Sequence, residues 1–439
     1  MKNRTTEVIS TAEHITGVSV TSTPIASHQS PSSDETCTIR KLFFRRHERQ
    51  IMDNQLSPPS PPQQVGRKFR RRPHLDLFCD CPNQHQCLIS VLLILTLAIT
   101  ALTCGDHAIA DEPTQISKRE SEVRKAVHAA LPLLEKASRG SAEQRKCFTC
   151  HSQALPVMAL SEARLRNFEV DSENYERQIK HTIAHLRKGK ENYAQGKGQG
   201  GGVDTAGFAL WTLEVGEYSA DPIVDAVTNF LLTSPGDSDH WQCSSSRPPS
   251  ESSDFTTTYL AIRALKYYSN KDQQQSVQER FKSALKWLLS AKPLTTEDKV
   301  FHLRALSYLD APDESPKRYA AALLDAQRPD GGWSQTDAME SDPYATATAL
   351  VSLIRTGHVN RHHAGYGKGI SFLLKQQTTQ GSWHVKTRSK PFQKYFETGF
   401  PHEKDQFIST TATAWATLAL LLALPSQEPV GVLAPKSPS

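Results

Sequence analysis

Cys147, Cys150 and His151 stand as C-x-x-C-H within Lys146-Cys147-Phe148-Thr149-Cys150-His151-Ser152. Two thiols separated by two residues match the spacing of the haem vinyl groups, and the adjoining imidazole can ligate the iron. The motif therefore predicts a covalent c-type haem, with Cys147 and Cys150 as anchors and His151 as the proximal ligand. Three other readings stay open: a local disulfide or thiol redox pair, a zinc site, and coincidence. The redox pair usually sits in a βαβ unit, and zinc would need a second ligand pair at metal spacing, which this stretch lacks. If the iron is six-coordinate, His402 and Met339 lead as distal ligands, followed by His240 and His384. A surface or capping role is the simpler alternative for each of these, and Met158 belongs to the core. The same plain roles fall to His181, His185, His302, His358, His362 and His363.

What precedes the motif reads as a leader. Residues 1–66 are polar and rich in Pro and Ser, so they cannot bury a core and are expected to be disordered. Arg67, Lys68, Arg70, Arg71 and Arg72 form a basic cluster. A 16-residue uncharged apolar run at 88–103 follows, and then Ala108-Ile109-Ala110. This order predicts a secretory signal peptide, a periplasmic or secreted location, and a mature chain from residue 111, with Met52 as an alternative start. An uncleaved anchor through 88–103 is the alternative, although the run is shorter than the roughly 20 residues that span a bilayer. The predicted organisation is thus a disordered leader over 1–86, a signal segment over 87–110 and one folded domain over 111–439. Five of the eight cysteines precede residue 111, leaving Cys147, Cys150 and Cys243, too few for a disulfide scaffold. Residues 1–86 carry 12 Lys+Arg against 8 Asp+Glu, which leaves 39 against 38 for the rest. A nearly neutral folded part gives no support to a nucleic-acid partner.

From residue 115 onward the chain alternates between amphipathic helices and helices of small, apolar, nearly uncharged residues. Ala206-Gly207-Phe208-Ala209-Leu210-Trp211-Thr212-Leu213 compares with Thr346-Ala347-Thr348-Ala349-Leu350-Val351-Ser352-Leu353 and with Thr411-Ala412-Thr413-Ala414-Trp415-Ala416-Thr417-Leu418. Weaker copies close on Leu160, Leu265 and Leu306. An all-round apolar helix is a buried one, and an amphipathic helix has a wet face. Six alternating pairs without polar caps predict an all-α fold, an (α/α)6 toroid of inner helices inside outer ones. An open solenoid is the alternative.

The segments joining outer to inner helices carry a family resemblance. Residues 368–383, ending Gln377-Thr378-Thr379-Gln380-Gly381-Ser382-Trp383, resemble the QW repeat of squalene–hopene cyclases and of their α/α-toroid relatives, the protein prenyltransferase β-subunits. Residues 318–333, ending Gln327-Arg328-Pro329-Asp330-Gly331-Gly332-Trp333, are a second copy. The resemblance implies the toroid. In it, glutamine is expected to cap the outer helix, tryptophan to pack on it and glycine to allow the turn. The cyclases' D-x-D-D acid motif is absent, with Asp237-Ser238-Asp239 the nearest approach, and so is the Asp-x-Cys pair that holds zinc in the prenyltransferases.

These readings point first to an exported toroid carrying haem c in electron transfer or redox sensing. A non-catalytic module using the toroid cavity is the alternative, and an isoprenoid-processing enzyme comes third. The partner is an unknown apolar small molecule or a redox protein, with a membrane involved only if the leader is uncleaved.

Overall fold

The computed structural model describes residues 112–391 and 394–425. The basic cluster, the 88–103 run and Ala108-Ile109-Ala110 lie outside the described residues. The folded part begins with α1 (Glu112–Gln144), followed by a π-turn (Cys150–Ala154) that leads into α2 (Leu155–Leu165). Next come α3 (Ser172–Lys188), short α4 (Lys190–Ala194), α5 (Gly202–Val215), α6 (Pro222–Thr233), α7 (Asp254–Tyr268), α8 (Gln274–Ser290), α9 (Thr296–Tyr308) and α10 (Glu314–Asp325). Strands β1 (Trp333–Ser334) and β2 (Ser341–Asp342) pair antiparallel ahead of α11 (Pro343–Arg355), α12 (Ala364–Gln376) and α13 (Gln406–Ala423).

Helices α2, α5, α7, α9, α11 and α13 are the small-residue helices, and they form a closed inner ring. Each packs on the next in that order, and α13 returns to α2. Outer α12 likewise returns to α1, and α1, α3, α6 and α8 pack in sequence. Closure, rather than an open solenoid, is thus the observed architecture. Small residues make the tight ring feasible: a Cβ on Gly207 of α5 would lie 2.6 Å from the Leu260 Cβ of α7. Local signals start the helices where the sequence suggests. Asp221 and Asp342 accept hydrogen bonds from the first amides of α6 and α11, each with Pro in the first turn. Thr295 and Asp298 form a capping box on α9. Helix α13 is apolar enough to cross a membrane by composition, but its apolar stretch is 89% buried within the chain.

The glutamine–tryptophan segments work as seams. Trp333 and Trp383 are fully buried, and their Nε1 groups donate to the carbonyls of Leu323 and Leu373, each at 2.7 Å. Gln377 closes its own outer helix as the C-cap residue, in line with the expectation, and the side chains of both glutamines also reach onward. Gln327 Nε2 donates to Gly331 O (2.9 Å) and to Gly365 O (2.8 Å), the latter in α12. Gln377 Nε2 donates to Gly381 O (3.0 Å) and to Ala126 O (2.8 Å) in α1, joining the last outer helix to the first. A third seam escaped the sequence reading because its glutamine is missing: Trp241 Nε1 donates to Leu231 O at 2.7 Å, ten residues back as in the other two. Gly381 has φ +91°, and a Cβ there would come within 2.4 Å of Ala129 O. Gly381→Ala is therefore expected to cost about 2 kcal/mol, read as a lower thermal midpoint.

Candidate metal centre

Every outer-to-inner connection emerges where the inner helices begin, so residues distant in sequence converge at that mouth. Phe148 is buried and stacks on His185 with centroids 6.1 Å apart, anchoring the chain between α1 and α2. Gln153 Oε1 accepts from the Thr149 amide (2.9 Å) and Gln153 Nε2 donates to Gln178 Oε1 (2.9 Å), so α3 braces the π-turn. The turn sends Cys150 and His151 inward and leaves Cys147 exposed. π-turns of this kind recur at functional sites because they re-aim side chains.

The Cys150 thiol donates to Glu251 Oε1, and Arg247 forms an ion pair with the same carboxylate. Backbone hydrogen bonds in both directions between residues 247 and 251, at 2.8 and 3.1 Å, hold this small loop rigid. The His151 ring meets Phe407 of α13 edge-on, with centroids 4.8 Å apart. Its Nε2 is buried without a hydrogen-bond partner. One ligand atom each from Cys150, His151 and Glu251 lies within 4.8 Å of the others. Burial, with Arg247 and Arg145 nearby, lowers the His151 pKa to about 3, so the imidazole is neutral. Burial, reinforced by Glu251, pushes the Cys150 thiol well above its ordinary range.

Two buried carboxyls flank the triad. Asp204 accepts from Thr257 Oγ1 (2.5 Å) and Cys243 Sγ (3.3 Å), and burial raises its pKa to about 6. Glu297 accepts from Tyr344 OH and Thr256 Oγ1, both at 3.0 Å, and burial raises it to about 8. Deeper along the axis, side chains from alternate inner helices meet. The Trp415 ring lies 6.2 Å from Trp211 and 6.4 Å from Phe301. Buried Arg304 projects its guanidinium over Tyr259 (4.4 Å), Trp211 (5.1 Å), Phe301 (5.4 Å) and Trp415 (5.6 Å). An aromatic cage that could stabilise a substrate cation thus already holds a cation of the protein.

The residues expected as distal haem ligands have these neighbours. His402 Nε2 pairs with Ser382 Oγ at 2.8 Å, and its ring stacks on His384 at 4.6 Å. His384 is bonded to Asp405 Oδ2 (2.9 Å), and His240 stacks on Trp287 (4.0 Å) beside Asp239 and Asp254. Met339 sits in the β1–β2 turn, its amide bonded to Thr336 O. Glu251 is the residue that sequence reasoning missed. It lies a hundred positions beyond Cys150 in a Ser/Pro-rich loop, with no spacing signal to tie it to the motif.

No family model matches the chain. Over 105 residues it is 35% identical to a lanosterol synthase of Aspergillus fumigatus, a stretch covering 24% of this chain and 13% of that enzyme. Among solved structures, a variant of the type II terpene cyclase MstE from Scytonema, in complex with geranylgeranyl dihydroxybenzoate, aligns over 70% of this chain and 100% of its own. The identity is 11% and the TM-score 0.44. A protein from Actinoplanes aligns over 69% and 99%, at 14% identity and a TM-score of 0.43. The fold of the chain is a closed α/α toroid, and over 105 residues its sequence is similar to that of the lanosterol synthase.

Proposed function

We propose that the mouth of the toroid is a metal centre in which Cys150, His151 and Glu251 hold a zinc-like ion with one position open to water or substrate. The observation that carries this is a ring nitrogen of His151 within 4.8 Å of the Cys150 thiol and the Glu251 carboxylate, with Nδ1 3.9 Å from the Cys150 Sγ and Nε2 buried without a hydrogen-bond partner. A sulfur, nitrogen and oxygen set of three suits zinc, and three protein ligands are the pattern of catalytic rather than structural sites. Such an ion would polarise a carbonyl or phosphoryl oxygen or acidify a bound water, giving hydrolytic or group-transfer chemistry. The chain's own residues would orient the ligands: Phe407 fixes the His151 ring and the Gln153–Gln178 pair holds the turn, while Arg247 occupies the Glu251 carboxylate when no ion is bound. The sequence alone disfavours zinc for want of a second ligand pair; the long-range partner Glu251 supports it.

A covalent c-type haem is the second reading, favoured by the contiguous C-x-x-C-H and drawing on Cys147, Cys150 and His151 for electron transfer or redox sensing after export. Exposed Cys147 and buried His151 Nε2 suit an ion inside the mouth better than a macrocycle laid over it. Isoprenoid cyclisation has neither the acid motif nor a vacant cage.

Cobalt substitution separates these readings. The metal reading expects one equivalent of Co2+ per chain and a thiolate charge-transfer band, lost in His151→Ala and in Glu251→Gln. A folded protein that binds no cobalt or zinc overturns it. A haem stain that survives denaturation and disappears in Cys147→Ala/Cys150→Ala establishes the second reading.

A further inference from the structure

Ser246, Arg247, Pro248, Arg388, Lys390 and Pro391 line an open groove of about 480 Å3 at the mouth. Its charged lining is wholly cationic although the folded part is nearly neutral overall, so the local field is a property of this groove. Arg388 Nη1 is held by Gln335 Oε1 at 2.8 Å, and Lys390 is exposed. Arg247 belongs to both places: it lines the groove and forms the ion pair with Glu251. Two guanidinium forks and an ammonium suit an oxyanion of two charges.

We propose that this groove binds a dianionic oxyanion group of the substrate and that its occupancy is coupled to metal binding through Arg247. The inference rests on the metal reading above and names the substrate class of that centre. While the groove is empty, Arg247 competes with a metal ion for the Glu251 carboxylate. An anion in the groove offers Arg247 another partner and frees Glu251 for the ion. Conversely, a metal on Glu251 neutralises it and leaves the guanidinium for the anion. Each ligand therefore tightens the other by the same factor.

Inorganic sulfate is the probe, compared with chloride at equal ionic strength in calorimetric titrations with Zn2+. The expected result is zinc affinity about ten-fold higher in sulfate, within the usual range of coupling between sites. Arg388→Gln/Lys390→Gln should abolish the difference while keeping zinc affinity in chloride, and Arg247→Gln should abolish it while raising that affinity. Zinc bound equally in both salts overturns the coupling and leaves the metal centre standing. Zinc bound in neither salt sinks the metal centre itself. In that case the groove is judged by a sulfate-dependent rise in thermal midpoint that Arg388→Gln/Lys390→Gln removes, and no rise overturns the groove as well.

Discussion

Trp383→Ala is expected to lower the unfolding free energy by about 3–5 kcal/mol and the thermal midpoint on the order of ten degrees. The indole is fully buried, its Nε1 donates to Leu373 O, and its backbone amide is taken by Thr413 Oγ1 at 3.0 Å. Removing it leaves a large void and an unsatisfied carbonyl, two losses that a rigid packed seam cannot relax away. Position adds to this cost. The seam at 377–383 is where α12 meets α1, so it joins the two ends of the folded chain. Gln377→Ala removes two hydrogen bonds and a smaller volume, and about 1–2 kcal/mol is expected from it. Urea unfolding followed by circular dichroism tests the pair. A Trp383→Ala protein with an unchanged midpoint would mean that the ring does not depend on this seam.

The seams show how much of the fold was legible. Inner helices declare themselves because a helix buried on all sides must be apolar on all sides, and Thr346–Leu353 and Thr411–Leu418 differ little in that respect. Closure was an inference from six pairs without polar caps, and the bonds that make it, Gln377 to Ala126 and Gly381 against Ala129, span 251 and 252 positions. No local pattern carries such a pairing. The cap role of Gln377 is readable locally, but the bonds of both glutamines to the next helix around the ring are not. Trp241 carries no such mark in the sequence, because Pro235 and Asp239 stand where the other copies have glutamine and glycine.

The site was legible only in part. Cys150 and His151 are adjacent in sequence, and a motif can flag them. Their third partner, Glu251, enters from a loop whose composition reads as solvated, yet it is buried because the ring folds that loop over the mouth. The sequence places His402 and Met339 on the mouth face. Being on one face does not bring two side chains together, and His402 finds Ser382 and His384 first. Residue type and face were readable, whereas pairing depended on backbone geometry.

Between pH 6.5 and 8 the stability of the wild-type protein relative to Glu297→Gln is expected to fall by roughly 1.5 kcal/mol. Burial raises the Glu297 carboxyl from its ordinary 4.5 to about 8, against the opposing hydrogen bonds from Tyr344 and Thr256. The folded state keeps a proton that the unfolded chain releases above 4.5, so the native state binds more protons throughout that interval. This contribution is fully present below pH 4.5 and is lost as pH rises through 8. Asp204 and Asp342, each raised to about 6 by burial, act in the same direction but are spent by that pH. His151, lowered to about 3, and His185 and His302, lowered to about 4, act oppositely, as do His181, His358 and His402, which burial also lowers. Their unfolded forms are half protonated at pH 6.5, so stability is regained between 6.5 and about 7.5 in wild type and variant alike, opposing the Glu297 loss. The thiols and phenols with raised values change the balance only at higher pH. The difference between wild type and Glu297→Gln isolates the carboxyl, and urea unfolding of both at pH 6.5, 7.2 and 8.0 in the presence of a chelator measures it. A wild-type slope matched by the glutamine variant would assign the effect to another group.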